Sequence, residues 1–150
     1  MVMELKQFDF GDCLREGLIR IIPTSNQQTE NSINTARKWL DEAEKSFSAK
    51  AFNSTMIASY LTMFHSSKSI LFRDGFREKS HYCVARYLEE KYSKMNILEF
   101  KWIEVLDYYR ETRHKDQYNT NFFVSENEAK DSIKNAKEFL KRIESLLEKG

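Results

Sequence analysis

The chain has 150 residues, the size of one ordinary domain, and its 24 Lys and Arg against 23 Asp and Glu leave a net charge of +1. So even a balance excludes a global electrostatic footprint for nucleic acid or membrane; binding of that kind must come from a local patch. Hydrophobic residues at 41% supply a core and rule out a disordered chain, while only 4 Gly and 1 Pro disfavour a turn-rich β architecture and favour helices. The N-terminal stretch MVMELKQFDFGD is acidic and lacks the apolar centre of a secretory signal, and no apolar run approaches the roughly 20 residues of a membrane span. Cys13 and Cys83 lie far apart and outside any Cys-x-x-Cys pair, so they read as buried small hydrophobes rather than a disulfide or zinc site. The expected compartment is the cytoplasm.

In chain order, residues 12–22 (DCLREGLIRII) read as a short amphipathic helix stopped by Pro23. Ile33, Ala36, Leu40, Ala43 and Phe47 then recur at three- and four-residue spacing along one long helix. The helix over about 52–73 is different. Ile57, Tyr60, Leu61, Phe64 and Leu71 mark one face, yet Met56, Met63 and Ile70 add apolar groups elsewhere, with Ser54, Ser59, Ser66, Ser67 and Ser69 between them. That is the pattern of a central helix with neighbours on several sides, and Asp74-Gly75 closes it with a residue suited to a left-handed cap. A third helix is expected over about 79–93. Asn96 with Glu99 and Ser125 with Glu128 read as capping boxes opening two more. The segment 115–124 (KDQYNTNFFV) is expected to be a loop. The fold class expected is all-α: an up-and-down antiparallel bundle of about five helices in a single domain, with residues 1–25 as an extension packed on it.

Catalytic signatures are scarce. There is no Gly-rich phosphate loop, no Gly-x-Ser-x-Gly and no His-Glu-x-x-His; His65, His81 and His114 have no metal-ligand spacing. His65, next to Phe64 in the central helix, reads as a core or interface histidine. One cluster stands out, Asp107 to Tyr118 (DYYRETRHKDQY). On a helix continuing through His114, Asp107, Arg110 and His114 share a face, with Arg113 alongside. Two guanidinium groups hold a phosphate, an imidazole moves the proton of a ribose hydroxyl, and Tyr109 or Tyr118 offers a ring for a base. The same residues also suit a plain solvated helix end, with Asp107 and Glu111 pairing the arginines. Both readings stand at this point.

The stretches ASYLTMFHSSKSIL (58–71), Arg77-Glu-Lys-Ser-His81 and Arg110-Glu-Thr-Arg113-His114-Lys-Asp116-Gln-Tyr118, with the closing amphipathic helix, resemble the prokaryotic HEPN domain over roughly residues 30–148. The resemblance implies a helical bundle, a homodimer in which an Arg-x(4–6)-His motif from each chain faces a shared cleft, and metal-independent RNA cleavage. It also implies kinship with ribonuclease toxins paired with a minimal nucleotidyltransferase as antitoxin. Arg110, Arg113 and His114 would be catalytic. Asp107, Asp116, Tyr118 and His81 would bind RNA or nucleotide, with a capping or packing role at the start of its helix as the other reading of His81, and no metal or other cofactor is called for. The motif departs from the family pattern: three residues separate Arg110 from His114, and Tyr118 stands where a histidine would follow Arg113. The ending is closer to an Arg-x-x-x-Asp-Tyr branch, with Asp116 and Gln117 partly shifted. A tyrosine, with an ordinary pKa of about 10, is a poor base at neutral pH. The alternative is therefore a non-catalytic partner of a nucleotidyltransferase that binds nucleotide or is modified, with Tyr118 as the acceptor. A third option is a bundle with a purely structural role.

Overall fold

The computed structural model describes residues 7–149. The first element corrects the sequence reading. α1 spans only Phe10–Arg15, opened by a reciprocal capping box in which Asp9 and Asp12 each accept the other's backbone N–H at 2.9 Å. Gly17, at φ 68, ends it, and Ile19–Ile21, two β-branched residues flanking Arg20, becomes a strand, β1.

α2 (Asn26–Ser48) starts at Ser25, whose hydroxyl accepts the Gln28 N–H at 3.1 Å, and buries Ile33, Ala36 and Ala43 as the spacing predicts. Three residues later α3 (Phe52–Asp74) begins, and it is the central helix. Its serines and threonines are buried without penalty because their hydroxyls bond back to the preceding turn: Thr62 to Ala58 O at 3.0 Å, Ser67 to Met63 O at 2.8 Å. Small side chains let the last helix close in, and Ser132 reaches Ser59 across that contact at 2.9 Å. Gly75, at φ 85, caps α3, and its carbonyl accepts the Ile22 N–H at 2.8 Å. The chain turns into β2 (Phe76–Glu78), antiparallel to β1 with Ile19 opposite Glu78, Arg20 opposite Arg77 and Ile21 opposite Phe76.

α4 (His81–Leu88) runs into a π-helical turn, Glu89–Ser93. Asn96 does not open the next helix. It takes a left-handed φ of 60, and α5 (Phe100–Tyr118) starts after Glu99 with no side-chain cap; Arg142 Nε bonds both Glu99 carboxylate oxygens at 3.0 Å instead. α5 runs to Tyr118, so residues 115–118 are helical and the loop is shorter than expected. α6 (Glu126–Lys149) has the expected capping box, Ser125 with Glu128. The long helices, joined by short turns around α3, make an all-α bundle with one small two-stranded ribbon.

Cys13 and Cys83 form a disulfide, with Cα atoms 5.9 Å apart and both side chains fully buried. This corrects the reading of them as free hydrophobes: α1 lies against α4, bringing together residues that are 70 apart in sequence. It also removes reduced cysteines as an argument for a reducing compartment. Among the described residues no helix is long and apolar enough to cross a membrane.

Candidate functional site

The second half of α5 carries the cluster singled out by sequence. Because the helix is unbroken to Tyr118, Arg110, Glu111, Arg113, His114 and Lys115 line one open cleft of about 310 Å³. Three of these five side chains are permanent cations and one is an imidazole, so the cleft favours an anion. All five lie on α5, and side chains of α3 and α4 touch two of them.

Arg110 is positioned from behind. Asp107, one turn earlier, pairs with it and with Arg86 of α4, the latter at 2.5 Å. The Tyr82 ring lies under both guanidinium groups, 5.0 Å from Arg110 and 4.6 Å from Arg86. Tyr82 is in turn fixed by its hydroxyl, which donates to the Phe8 carbonyl at 2.7 Å. Asp107 thus orients Arg110, and Glu111 Oε1 lies 3.5 Å from its other terminal nitrogen, as the ion-pair reading of the helix foresaw. Arg110 keeps a face in the cleft.

Arg113 sits over the Tyr60 ring at 5.2 Å and donates to Gln117, one turn on, at 2.8 Å. The Tyr60 hydroxyl lies 2.8 Å from His81 Nδ1, and the His81 ring stacks on Phe64 with centroids 3.8 Å apart at 9°. Burial first, then the positive charges of Arg113 and Lys68, pull the His81 pKa down to about 4. Burial raises the Tyr60 phenol above its ordinary range. At neutral pH this pair is an uncharged platform under Arg113. His65, against Phe64 at 5.2 Å, is also pulled down to about 4 by burial and by Lys68, which fits a packed histidine.

His114 is exposed, with its ring 4.7 Å from that of Tyr118, which is 69% exposed. Tyr118 is the last residue of α5 rather than part of a polar loop. Asp116 faces away from the cleft. Its Oδ1 accepts from Asn53 Nδ2 at 2.7 Å, and Asn53 also donates to Phe122 O and accepts from Val124 N, both at 3.2 Å. Burial raises the Asp116 carboxyl pKa, with the Asn53 bond opposing. Asp116 therefore ties α5 and the loop after it to the start of α3. Tyr109, a candidate base platform, is buried and bonded to Asn135 at 3.0 Å, so no base reaches it.

Sequence reasoning missed Tyr60, Tyr82 and Arg86 as parts of this site. Tyr60 was visible only as one of the apolar residues of α3, and nothing in the spacing ties Arg86 to Asp107 across helices. Among the described residues no three His, Cys, Asp or Glu side chains are grouped to hold a metal.

The family profile of the HEPN domain matches residues 29–146. The chain belongs to the HEPN family. The matched stretch holds every residue of the cleft and leaves out α1 and β1, so Tyr82 of the HEPN domain is held by a segment outside the match. No curated protein matches the chain.

Proposed function

We propose that this HEPN domain binds RNA by a backbone phosphate and cleaves it without a metal ion. The observation that carries this reading is the convergence of Arg110, Arg113 and His114 on one open cleft. Arg113, levelled on the neutral Tyr60–His81 platform, and Arg110, aimed by Asp107, hold the phosphate. His114 takes the proton of the adjacent ribose 2′-hydroxyl. The 2′-oxygen then bonds to phosphorus, the bond to the 5′-oxygen breaks, and that oxygen takes a proton from solvent as it leaves, giving a 2′,3′-cyclic phosphate. Tyr118 contacts ribose or base. In keeping with the family, two copies dimerise with their clefts facing, and a minimal nucleotidyltransferase is the partner of a toxin–antitoxin pair.

The test is RNA cleavage by chelator-treated protein. Cleavage that persists in chelator and disappears in Arg113→Ala supports the reading; loss on chelation, or unchanged cleavage by the variant, overturns it.

A second reading is favoured by one observation, the 69% exposure of Tyr118, whose ring lies 4.7 Å from that of His114. Here the domain is a non-catalytic partner: on the transferase, the Tyr118 oxygen bonds to the α-phosphorus of a nucleoside triphosphate, the α–β anhydride bond breaks, and pyrophosphate and the phenolic proton leave. Peptide mapping of protein isolated from its own cells distinguishes the two: a mass increase confined to Tyr118, with no cleavage by the unmodified protein, favours the second.

A further inference from the structure

The ribbon of β1 and β2 carries an arrangement that the bundle does not need. Arg20 and Arg77 are direct register partners, which puts two like charges side by side across the strands. Such pairs oppose pairing. Both are exposed, as is Lys79, and among the described residues no carboxylate pairs with any of the three. The one acid on the two strands, Glu78, pairs with Lys68 of α3 at 3.0 Å. Arg20, Arg77 and Lys79 line an open hollow of about 540 Å³ with Ile21, Ile22 and Glu78, the last already paired with Lys68, so the cations outnumber the one acid there.

This hollow is joined to the α5 cleft by a row of side chains in contact. Arg113 lies on Tyr60, Tyr60 bonds His81, His81 stacks on Phe64, and Lys68 Nζ sits 5.6 Å from the Phe64 ring. Lys68 then holds Glu78, the strand neighbour of Arg77 and Lys79. The cations along this route are Arg110, Arg113, Lys68, Lys79, Arg77 and Arg20. Arg20 lies outside the stretch matched by the HEPN profile, so the N-terminal segment supplies half of the paired arginines.

We infer that the β1–β2 ribbon is a second phosphate-binding subsite, and that the substrate is a single-stranded RNA long enough to span from the α5 cleft to Arg20, Arg77 and Lys79. The inference rests on the RNA reading above and names its substrate class. A polyanion relieves the Arg20–Arg77 repulsion by placing a phosphate between them, which a mononucleotide in the α5 cleft does not do. A single strand fits better than a duplex because Ile21, 77% exposed beside Arg20, offers an apolar surface to an unstacked base.

The test is fluorescence anisotropy with fluorescein-labelled 2′-O-methyl RNA, which lacks the nucleophile and is not cut. A dinucleotide and a dodecanucleotide are titrated onto the wild-type chain, the double variant Arg20→Ser/Arg77→Ser and the charge-preserving Arg20→Lys/Arg77→Lys. The wild type binds the dodecanucleotide about tenfold or more tighter than the dinucleotide. The serine variant loses most of that gain, keeps its dinucleotide affinity, and its salt slope falls by about 1.4, from two lost phosphate contacts on a single strand. The lysine variant retains the gain, which separates charge from folding. A serine variant with wild-type dodecanucleotide affinity and salt slope overturns the second subsite and leaves the cleft reading standing. Failure of the wild type to bind either RNA overturns both.

Discussion

Reducing the Cys13–Cys83 bond tests how the N-terminal segment is held. The bond closes a loop of 70 residues, and apart from Cys13 itself α1 buries only Phe10. In the chain-entropy treatment a loop of that size restricts the unfolded ensemble by roughly 15 cal/mol/K, or about 4 kcal/mol at room temperature. With a urea slope of about 2 kcal/mol/M for a domain of this size, the midpoint of unfolding should fall by about 2 M on reduction. The assay is urea unfolding of the same protein followed by circular dichroism, with and without a thiol reductant. No substitution is made, so no buried volume changes. The slope should also rise slightly, because the reduced unfolded chain exposes more surface. Native protein that titrates with two free thiols, or a midpoint unmoved by reduction, would refute the reasoning.

Other consequences follow from particular contacts. His65 and His81, both held at about 4 against an ordinary 6.5, bind protons more readily in the unfolded chain, so stability is complete above about pH 6.5 and is lost as pH falls toward 4. After discounting for their partial exposure, each contributes on the order of 1–2 kcal/mol to that loss. Asp116, raised by burial, acts in the opposite sense as it takes up its proton. Urea midpoints at pH 7 and about pH 5 should differ for the wild type and converge for His65→Gln/His81→Gln. Gly75→Ala should destabilise by about 1–3 kcal/mol in thermal unfolding, since its Cβ would sit 2.8 Å from the Ile22 carbonyl at a left-handed φ; an unchanged Tm contradicts this. Asn53→Ala removes the donor to Asp116 and the acceptor of Val124 N–H, for about 2 kcal/mol. Hydrogen exchange should then speed up in residues 119–125 and not in α2.

Pattern made the long helices legible: α2 and α6 show their buried residues at helical spacing, α3 shows apolar and small residues around most of its circumference, and Gly75 and Ser125 with Glu128 mark ends. It failed where a short segment had two solutions. LIRII fits a helix turn as well as a strand, and only pairing with Phe76–Glu78, more than 50 residues away, decides for the strand. Asn96 and Glu99 have the spacing of a capping box, but Asn96 takes a left-handed conformation that the pattern does not encode. The disulfide was hidden for a similar reason: nothing local shows that α1 comes to lie on α4. At the site, the shared face of Arg110 and His114 was visible because helical spacing sets it. The supports were not. Tyr60, Tyr82 and Arg86 come from α3 and α4, and Asp116 was assigned to the site by its neighbours in sequence, whereas a contact with Asn53 turns it elsewhere.

The most direct measurement is the proton NMR spectrum of the three histidines during titration with uncleavable 2′-O-methyl RNA. If the α5 cleft receives the phosphate, the His114 ring resonances shift in proportion to bound RNA in the wild type, and the shift disappears in Arg113→Ala. A bound RNA that leaves His114 unmoved would place the ligand elsewhere on the bundle and contradict the account.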